Sequence, residues 1–218
     1  MGAAADAGQR TEVAAHDLEL TDGEVRVKGQ PRHSLAVSEI LAKIQPNMIQ
    51  GRGSRGPNPS DKTVHTFGAQ AAEVEVDTET GEVTVLRIVA AHDCGRVVNP
   101  MMVESQVVGA VTQGLGFALT EERLVDARRG FVVNANLEEY KIPTVLDIPE
   151  ITNVSLDMPD PEANPTGAKG IGESPLIPTA PAIANAVRDA VGVRIFQAPM
   201  TRARILKALA DRKTEATA

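Results

Sequence analysis

The sequence predicts an α+β fold in which β-hairpins and a mixed sheet pack with helices. Residues 71–77 alternate apolar and polar side chains, a Thr-Gly turn follows, and residues 82–90 are rich in β-formers, as in a β-hairpin. A proline at position 100 and a glycine at position 192 mark the start of one helix and the end of another. Aromatic residues make up only 2% of the 218 residues, so the core must be aliphatic.

The first part of the chain has weaker signals. Residues 1–17 are small and polar, which predicts a flexible leader without an export signal. Residues 24–28 alternate like a short strand. Residues 35–44 place apolar side chains at helical intervals, with Ser34 as the expected N-cap.

The later segments alternate between predicted helices, strands and loops. In chain order they are a helix at 100–119, strands at 131–137 and 151–158, a Pro- and Gly-rich loop at 159–173, a helix at 181–190, and a last helix from a Thr201 cap to residue 210. Residues 18–210 are expected to form the main domain, either as one body or as two subdomains that divide near 45–65. Residues 211–218 are expected to form a fraying tail.

Composition and charge exclude several classes of function. The chain has 22 Lys and Arg residues against 29 Asp and Glu residues, and its net charge of −7 opposes general binding to phosphate backbones. No stretch reaches the roughly 18 apolar residues of a membrane span. The single cysteine, Cys94, excludes an internal disulfide and an iron–sulfur cluster held by this chain alone. We therefore expect a cytoplasmic protein, unless a signal-bearing partner exports it.

Two motifs have only weak functional interpretations. Residues 51–56 match the G-x-G-x-x-G pattern of dinucleotide sites, but Pro57 and Pro59 oppose the helix that such a site requires, so a loop is the better interpretation. The run His92-Asp93-Cys94 invites a nucleophile or metal hypothesis. Adjacent residues on an extended backbone point to opposite sides, so closeness in sequence does not make a catalytic pair.

The predicted helix at 100–119 carries one candidate site. Gln106 and Gln113 are seven residues apart and share a helix face beside Gly109 and Gly116. Each glycine costs a helix interior about 1 kcal/mol, so these glycines need a reason. Either another backbone or a bulky ligand approaches the helix and meets the Gln amides, or the helix simply packs tightly.

The loop that leads to Glu173 is the second candidate site. Residues 165–175 contain three glycines, whose backbone amides can approach a ligand closely. The pattern is not a P-loop, because no Lys-Ser or Lys-Thr pair follows the last glycine. The apolar neighbours Ile171, Leu176 and Ile177 would favour a general base at Glu173. The alternative is a surface turn with an exposed glutamate.

An ordered series of short motifs runs from residue 67 to residue 209. They are Ala-Glu-Val-Glu-Val-Asp at 72–77, Thr-Gly-Glu-Val at 80–83, His-Asp-Cys-Gly-Arg at 92–96, Asn-Pro at 99–100, Gln106, Gly-Ala at 109–110, Gln-Gly-Leu-Gly at 113–116, Tyr-Lys-Ile-Pro-Thr at 140–144, Gly-Ala-Lys-Gly-Ile-Gly-Glu at 167–173 and Ala-Ile-Ala-Asn-Ala-Val at 182–187. This series resembles the C-terminal part of the molybdenum-binding subunit of the xanthine dehydrogenase and aldehyde oxidase family of molybdenum hydroxylases. The element at 167–173 is its most specific part.

The resemblance implies a molybdopterin-dependent oxidoreductase that hydroxylates an aldehyde or an N-heterocycle with oxygen from water. Glu173 would be its catalytic base. The implied cofactor contacts are Gln106 for the pterin, the backbone of Lys169, Gly170, Ile171 and Gly172 near the metal, and more weakly Gln113. No side chain of this chain is expected to ligate the metal. The cofactor would be molybdenum–molybdopterin, either as the simple pterin or as its cytosine dinucleotide.

The resemblance also implies partners, because the family's subunits are several times longer than this chain. A larger molybdenum-binding polypeptide would complete the site, and iron–sulfur clusters and FAD would lie on further subunits or domains. The chain would then be a split subunit or a fragment. The alternative is a non-catalytic interaction or assembly module that keeps the fold.

Overall fold

The computed structural model describes residues 13–44, 50–54, 56–57 and 60–215. The chain divides into two compact units, Met1–Gly56 and Pro57–Ala218, each with its own core. Most of the predicted leader, residues 1–12, lies outside the described residues, and Ala15–Asp17 form a short 3-10 helix. No helix in the described part of the chain is long and apolar enough to cross a membrane.

The first unit is a three-stranded antiparallel sheet that carries one short helix. Its elements are β1 (Leu18–Thr21), β2 (Glu24–Val27), β3 (Gln30–Ala36) and helix α1 (Val37–Lys43). The buried side chains of Leu18, Val25 and Ile40 form its core. The described residues between 50 and 57 form neither helix nor strand, so they lack the helix that a dinucleotide site requires.

The start of α1 differs from the sequence-based prediction. Ser34 is not an N-cap, because it lies within β3 and pairs with Arg26 across the sheet. Ala36 occupies the N-cap position and has no side chain that can accept a hydrogen bond from the helix. Strand pairing therefore overrides the local capping signal, and the helix begins two residues later than predicted.

A mixed sheet organises the second unit. Strands β4 (Phe67–Val76) and β5 (Val83–Asp93) form the predicted antiparallel hairpin, and β6 (Glu150–Leu156) pairs with β5 in parallel. The order is β4–β5–β6, so β5 is the central strand. The predicted α+β fold with a mixed sheet is confirmed. Strand β5 extends further than predicted and includes His92 and Asp93 at its end.

Two helices of this unit have the end signals that the sequence predicts. Helix α2 (Pro100–Leu119) follows Asn99, whose side-chain oxygen accepts a hydrogen bond from the Met102 amide at 3.2 Å. Helix α3 (Thr179–Val191) ends at Gly192, whose φ of 72° lies in the left-handed region that glycine adopts without strain. The start of α2 and the end of α3 therefore lie where local chemistry satisfies the terminal backbone groups of the helix.

Helix α4 (Arg202–Glu215) is longer than predicted. It begins after the Thr201 cap, whose hydroxyl oxygen accepts a hydrogen bond from the Arg204 amide at 3.4 Å, as expected. It continues past residue 210, so residues 211–215 are helical rather than frayed. The rest of the predicted tail, 216–218, lies outside the described residues.

The predicted strand at 131–137 is wrong. Its residues contribute only one isolated bridge, at Val132. The side chain of Asn134 accepts a hydrogen bond from the Leu124 amide at 2.9 Å and donates one to the Glu122 carbonyl at 2.6 Å. Such side-chain bonds to the backbone compete with a strand ladder, and here they hold an irregular segment instead.

The core of the second unit lies between the sheet and the helices. Helix α3 packs against β4 and against α2. The largest fully buried aliphatic side chains of this core are Ile88, Val107, Val111, Ile183, Val187 and Ile205. The scarcity of aromatic residues requires such an aliphatic core.

We predict that Leu115→Ala lowers the free energy of unfolding by about 2–5 kcal/mol, because truncation leaves a cavity in a packed core. Leu115 is only 4% exposed and belongs to this core, whereas Leu146 is 96% exposed, so Leu146→Ala is the matched control. Chemical denaturation of the 218-residue chain measures both variants. Equal losses would contradict the core described above.

Candidate functional site

Two segments that lie far apart in sequence form one surface at the end of β5. The Lys169 amide donates to the Cys94 carbonyl at 2.7 Å, and the Arg96 amide donates to the Gly167 carbonyl at 2.8 Å. The end of the central strand therefore holds the loop at 159–173 through backbone bonds. The motif at 92–96 and the more specific motif at 167–173 therefore meet at this junction.

Gly95 allows these segments to approach each other closely. Its φ is +68°, and a Cβ at this position would overlap the Gly167 carbonyl oxygen. Gly95 also forms an isolated antiparallel bridge with Ala168. Any larger residue at position 95 would both strain the backbone and push the loop away from the sheet.

A partly buried ion pair also holds the same junction. Lys169 Nζ lies 2.5 Å from Asp93 Oδ2 and 4.0 Å from Asp160 Oδ2, and it donates to the His65 carbonyl at 3.0 Å. The two paired side chains are 7% and 15% exposed. Burial by itself raises the pKa of Asp93, but hydrogen bonds from Lys169 and from the Gly95 amide outweigh it and hold that pKa below its usual value of 3.8. The lysine ammonium therefore fixes the loop.

A cavity of about 220 Å³ lies between this junction and the first turns of α2. It is lined by Cys94, Arg96, Val98, Asn99, Met102, Val103, Gln106, Ala168, Lys169 and Ile171. The structure thus brings Gln106 together with two of the loop residues that the sequence singled out. Gln106 Oε1 also lies 3.9 Å from the place that a Cβ on Gly172 would take, so Gly172 borders the same region.

Gln113 is not among the residues that line this cavity. It is exposed and lies seven residues, or about 10 Å, further along α2 than Gln106. A shared helix face therefore does not by itself bring both glutamines to one site.

The glycines of this region fall into two groups. A Cβ on Gly114 would lie 2.6 Å from the Thr179 Cβ, and a Cβ on Gly116 would overlap a neighbouring carboxylate, so tight packing explains both. Gly109 in α2 and Gly170 in the loop are exposed, and a Cβ on either would meet no described atom within 4 Å. Neither adopts a positive φ. Packing and conformation within the described residues therefore leave these two glycines unexplained.

Glu173 is exposed at the end of the loop. Its carbonyl accepts a hydrogen bond from the Leu176 amide at 3.0 Å, which closes a turn that leads into α3. The apolar surroundings that the sequence suggested are not formed, because Ile177 is itself 69% exposed and Leu176 is only half-buried. An apolar enclosure of this carboxylate requires atoms outside the described residues.

A buried polar network lies beneath this turn, and the sequence analysis missed it. Gln70 Nε2 donates to the Pro175 carbonyl at 2.5 Å and lies 3.2 Å from His92 Nε2. The Thr179 hydroxyl donates to Gln70 Oε1 at 2.8 Å. The available signal was the alternation that places His92 on the same face of β5 as the buried Ile88.

Neither His92 nor Cys94 is suited to nucleophilic catalysis here. Both are buried, at 1% and 2% exposure. Burial lowers the pKa of His92 and raises the pKa of the Cys94 thiol. The imidazole is therefore neutral and the thiol protonated at neutral pH. This agrees with the sequence analysis, in which the nucleophile hypothesis for these residues was weak. No group of three or more His, Cys, Asp or Glu side chains among the described residues could hold a metal ion.

Comparison with known proteins identifies the family. Residues 2–149 match the sequence model of the molybdopterin cofactor-binding domain. The chain is 44% identical over 146 residues to the aldehyde oxidoreductase molybdenum-binding subunit PaoC of Escherichia coli strain K12. This alignment covers 67% of this chain and 20% of that protein. It is 35% identical over 195 residues to the putative xanthine dehydrogenase molybdenum-binding subunit XdhA of the same strain, which covers 88% of this chain and 26% of that protein.

Solved structures agree with this result. The crystal structure of quinoline 2-oxidoreductase from Pseudomonas putida 86 matches with a TM-score of 0.83 at 33% identity, over 96% of this chain and 28% of that one. The chain belongs to the xanthine dehydrogenase and aldehyde oxidase family of molybdenum-binding subunits, within their molybdopterin cofactor-binding domain. It spans about a fifth to a quarter of the length of these curated relatives. The residues that match the domain model end before the loop that carries Glu173.

We predict that Lys169→Met destabilises the chain by about 2 kcal/mol, because it leaves the partly buried Asp93 carboxylate without its charged hydrogen-bond partner. Chemical denaturation of the full chain measures this loss. An unchanged free energy of unfolding would mean that the ion pair does not hold the loop.

The double variant Lys169→Met with Asp93→Asn is the control for this prediction. The asparagine oxygen can still accept the hydrogen bond that the Gly95 amide gives to Asp93 at 2.8 Å, and no unpaired charge remains buried. We expect the double variant to regain most of the lost stability.

Proposed function

We propose that this chain supplies the catalytic base and part of the molybdopterin site of a molybdenum hydroxylase that oxidises an aldehyde or an N-heterocycle with oxygen from water. The observation that carries this proposal is one cavity bordered by Gln106, Ala168, Lys169 and Ile171, with Glu173 on the same loop. The names of its relatives support the substrate classes: one is an aldehyde oxidoreductase, and others are named for xanthine and quinoline, which are N-heterocycles.

The residues around the cavity fit part of a pterin cofactor. The exposed carboxamide of Gln106 offers two donor hydrogens and an acceptor oxygen. The open faces at Gly109 and Gly170 leave room for a group from outside the described residues. The cavity of about 220 Å³ is smaller than the roughly 300–1,000 Å³ of a complete ligand site. This size supports the proposal that the cavity is one side of a site that another polypeptide completes. When bound, the molybdenum cofactor supplies an acidified oxygen nucleophile and accepts the electrons of the oxidation.

Glu173 is suited to the role of base. Its carboxylate makes no hydrogen bond or ion pair with the described residues, so the fold of this part of the chain does not use it. In the proposed reaction a carboxylate oxygen of Glu173 accepts the proton that the attacking oxygen nucleophile releases. A carboxylate without a structural partner at the end of a fixed loop favours this role over a non-catalytic assembly module.

The proposal requires partners, because the described residues leave the site open. Apolar side chains beside the cavity, including Val98 and Met102, are more than half exposed, and a larger molybdenum-binding polypeptide would cover them. Iron–sulfur clusters and FAD are proposed for further subunits or domains, since the single Cys94 is buried and cannot hold a cluster. A cytoplasmic location is part of the proposal, in agreement with this free thiol.

We predict that Glu173→Gln lowers kcat of the assembled enzyme by about 10²- to 10⁴-fold, because the amide cannot accept the proton. The molybdenum content per chain is expected to stay near the wild-type value, since glutamine keeps the size and shape of the glutamate side chain. Steady-state kinetics on aldehydes and N-heterocycles, with molybdenum measured by elemental analysis, tests both expectations.

Glu79→Gln is the matched control, because Glu79 is an exposed glutamate in the turn between β4 and β5. It is expected to leave kcat and molybdenum content unchanged. Near wild-type turnover in Glu173→Gln would remove the general base from the proposed function. If the complex isolated by a tag on this chain contained no molybdenum, the proposal as a whole would be overturned.

We predict that Gln106→Ala weakens retention of the molybdenum cofactor by about 10-fold, because it removes hydrogen bonds to a bound group. The exposed Gln197, which lies outside this cavity, provides the matched control Gln197→Ala. Molybdenum content after dialysis measures retention. Gln113→Ala in the same series tests the weaker assignment, and an equal loss in the Gln106 and Gln197 variants would argue against a pterin contact.

A further inference from the structure

We propose that Gln70, His92 and Thr179 form a positioning network that holds the turn at 173–176 and thereby fixes the place of the Glu173 carboxylate. The inference rests on the proposed function, in which Glu173 is the base. None of the three residues touches the cavity, so each would act through the turn rather than on a substrate.

The network binds the turn at Pro175, the fully buried residue of the turn. The Pro175 carbonyl accepts a hydrogen bond from Gln70 Nε2 at 2.5 Å. The carbonyl also lies 3.2 Å from the Thr179 hydroxyl oxygen, whose single proton is donated to Gln70 Oε1. Glu173, two residues earlier, is exposed. Because the Leu176 amide closes the turn on the Glu173 carbonyl at 3.0 Å, holding Pro175 limits where the Glu173 side chain can go.

Gln70 joins three separate elements through one side chain. Because the Pro175 carbonyl can only accept, the Gln70 nitrogen must face it, and the Gln70 oxygen is left to accept from Thr179. The second amide hydrogen then faces His92 Nε2 at 3.2 Å, which must be the accepting nitrogen, so the ring proton lies on Nδ1. Strand β4, strand β5 and the first residue of α3 are thus tied to the turn.

The members of this network have little room to move. Thr179 is completely buried against α2, where a Cβ on Gly114 would lie 2.6 Å from its own Cβ. The His92 ring fills the space above Gly68, where any Cβ would overlap it. A hydrogen-bonded group that is packed on both sides transmits its position to its partners instead of adapting to them.

Stability alone does not account for these polar groups. Two of them, His92 and Thr179, are fully buried, whereas the buried side chains of the core of this unit are apolar. Two of the buried polar atoms in this area, His92 Nδ1 and Ser174 Oγ, have no hydrogen-bond partner among the described residues. Apolar residues of similar volume avoid such unpaired groups, so the network has a reason other than stability. Its place directly beneath the turn of Glu173 supplies that reason.

The first test measures the turn itself and needs no cofactor. Thr179→Val keeps the branched shape that packs against Gly114 but removes the hydroxyl, whereas Thr179→Ser keeps the hydroxyl. We expect amide hydrogen exchange at Leu176 in the full chain to become about 10-fold faster in the valine variant and to stay near wild type in the serine variant. Exchange at Gly192, whose amide bonds to the Arg188 carbonyl at the far end of α3, should not change.

The second test measures catalysis in the assembled enzyme. For Thr179→Val we expect kcat to fall about 10- to 100-fold, because a displaced base costs orientation, while KM and molybdenum content stay unchanged. Thr179→Ser should retain most of the wild-type kcat. Leu115→Ala, which weakens the core elsewhere, should leave kcat per molybdenum unchanged and so separates positioning from general stability.

The outcomes distinguish this inference from the function on which it rests. Unchanged exchange at Leu176 in Thr179→Val would overturn the network as a holder of the turn. Faster exchange with unchanged kcat, in an enzyme that Glu173→Gln inactivates, would overturn its catalytic role. Full activity of Glu173→Gln would instead contradict the proposed function. The amide exchange rates at Leu176 would still decide whether the network holds the turn.

Discussion

The attachment of the loop at 159–173 to the end of β5 is the constraint on which the candidate site depends. Strand β5 is paired on both sides, so its end is held by the whole sheet. Backbone bonds from Lys169 and Arg96, and the partly buried ion pair of Lys169 with Asp93, transfer this rigidity to the loop. A glycine-rich loop without such attachments would lose much conformational entropy on meeting a ligand, whereas here the order already exists before binding.

Packing decides which parts of the site are closed and which are open. The aliphatic core fixes α2, and Gly114 lets Thr179 lie directly against that helix. In contrast, Gly109 and Gly170 face space that the described residues do not fill, and Glu173 is exposed. The described residues thus form one ordered side of the candidate site and leave the opposite side open. A base that must work in a site without bulk water needs the open side to be covered, and this is the physical reason that the proposed function requires a larger partner.

Local signals in the sequence predicted much of the fold. The hairpin, the helix that starts at Pro100 and the helix that Gly192 ends depend on interactions within a few residues, so the sequence pattern was sufficient for them. Two of the wrong assignments depend on longer-range competition. Ser34 pairs across a sheet instead of capping a helix, and Asn134 binds the backbone ten and twelve residues earlier instead of joining a strand.

The sequence by itself determined the family and the candidate base, because ordered motifs that include Gln106 and Glu173 are visible without coordinates. Only the tertiary structure decided that Gln106 borders the cavity and Gln113 does not, since the distance along a helix separates residues that share a face. It alone revealed that Gln70 reaches Pro175 and Thr179, which lie 105 and 109 residues further along the chain. Contacts over such separations follow from how elements pack, and no local pattern encodes them.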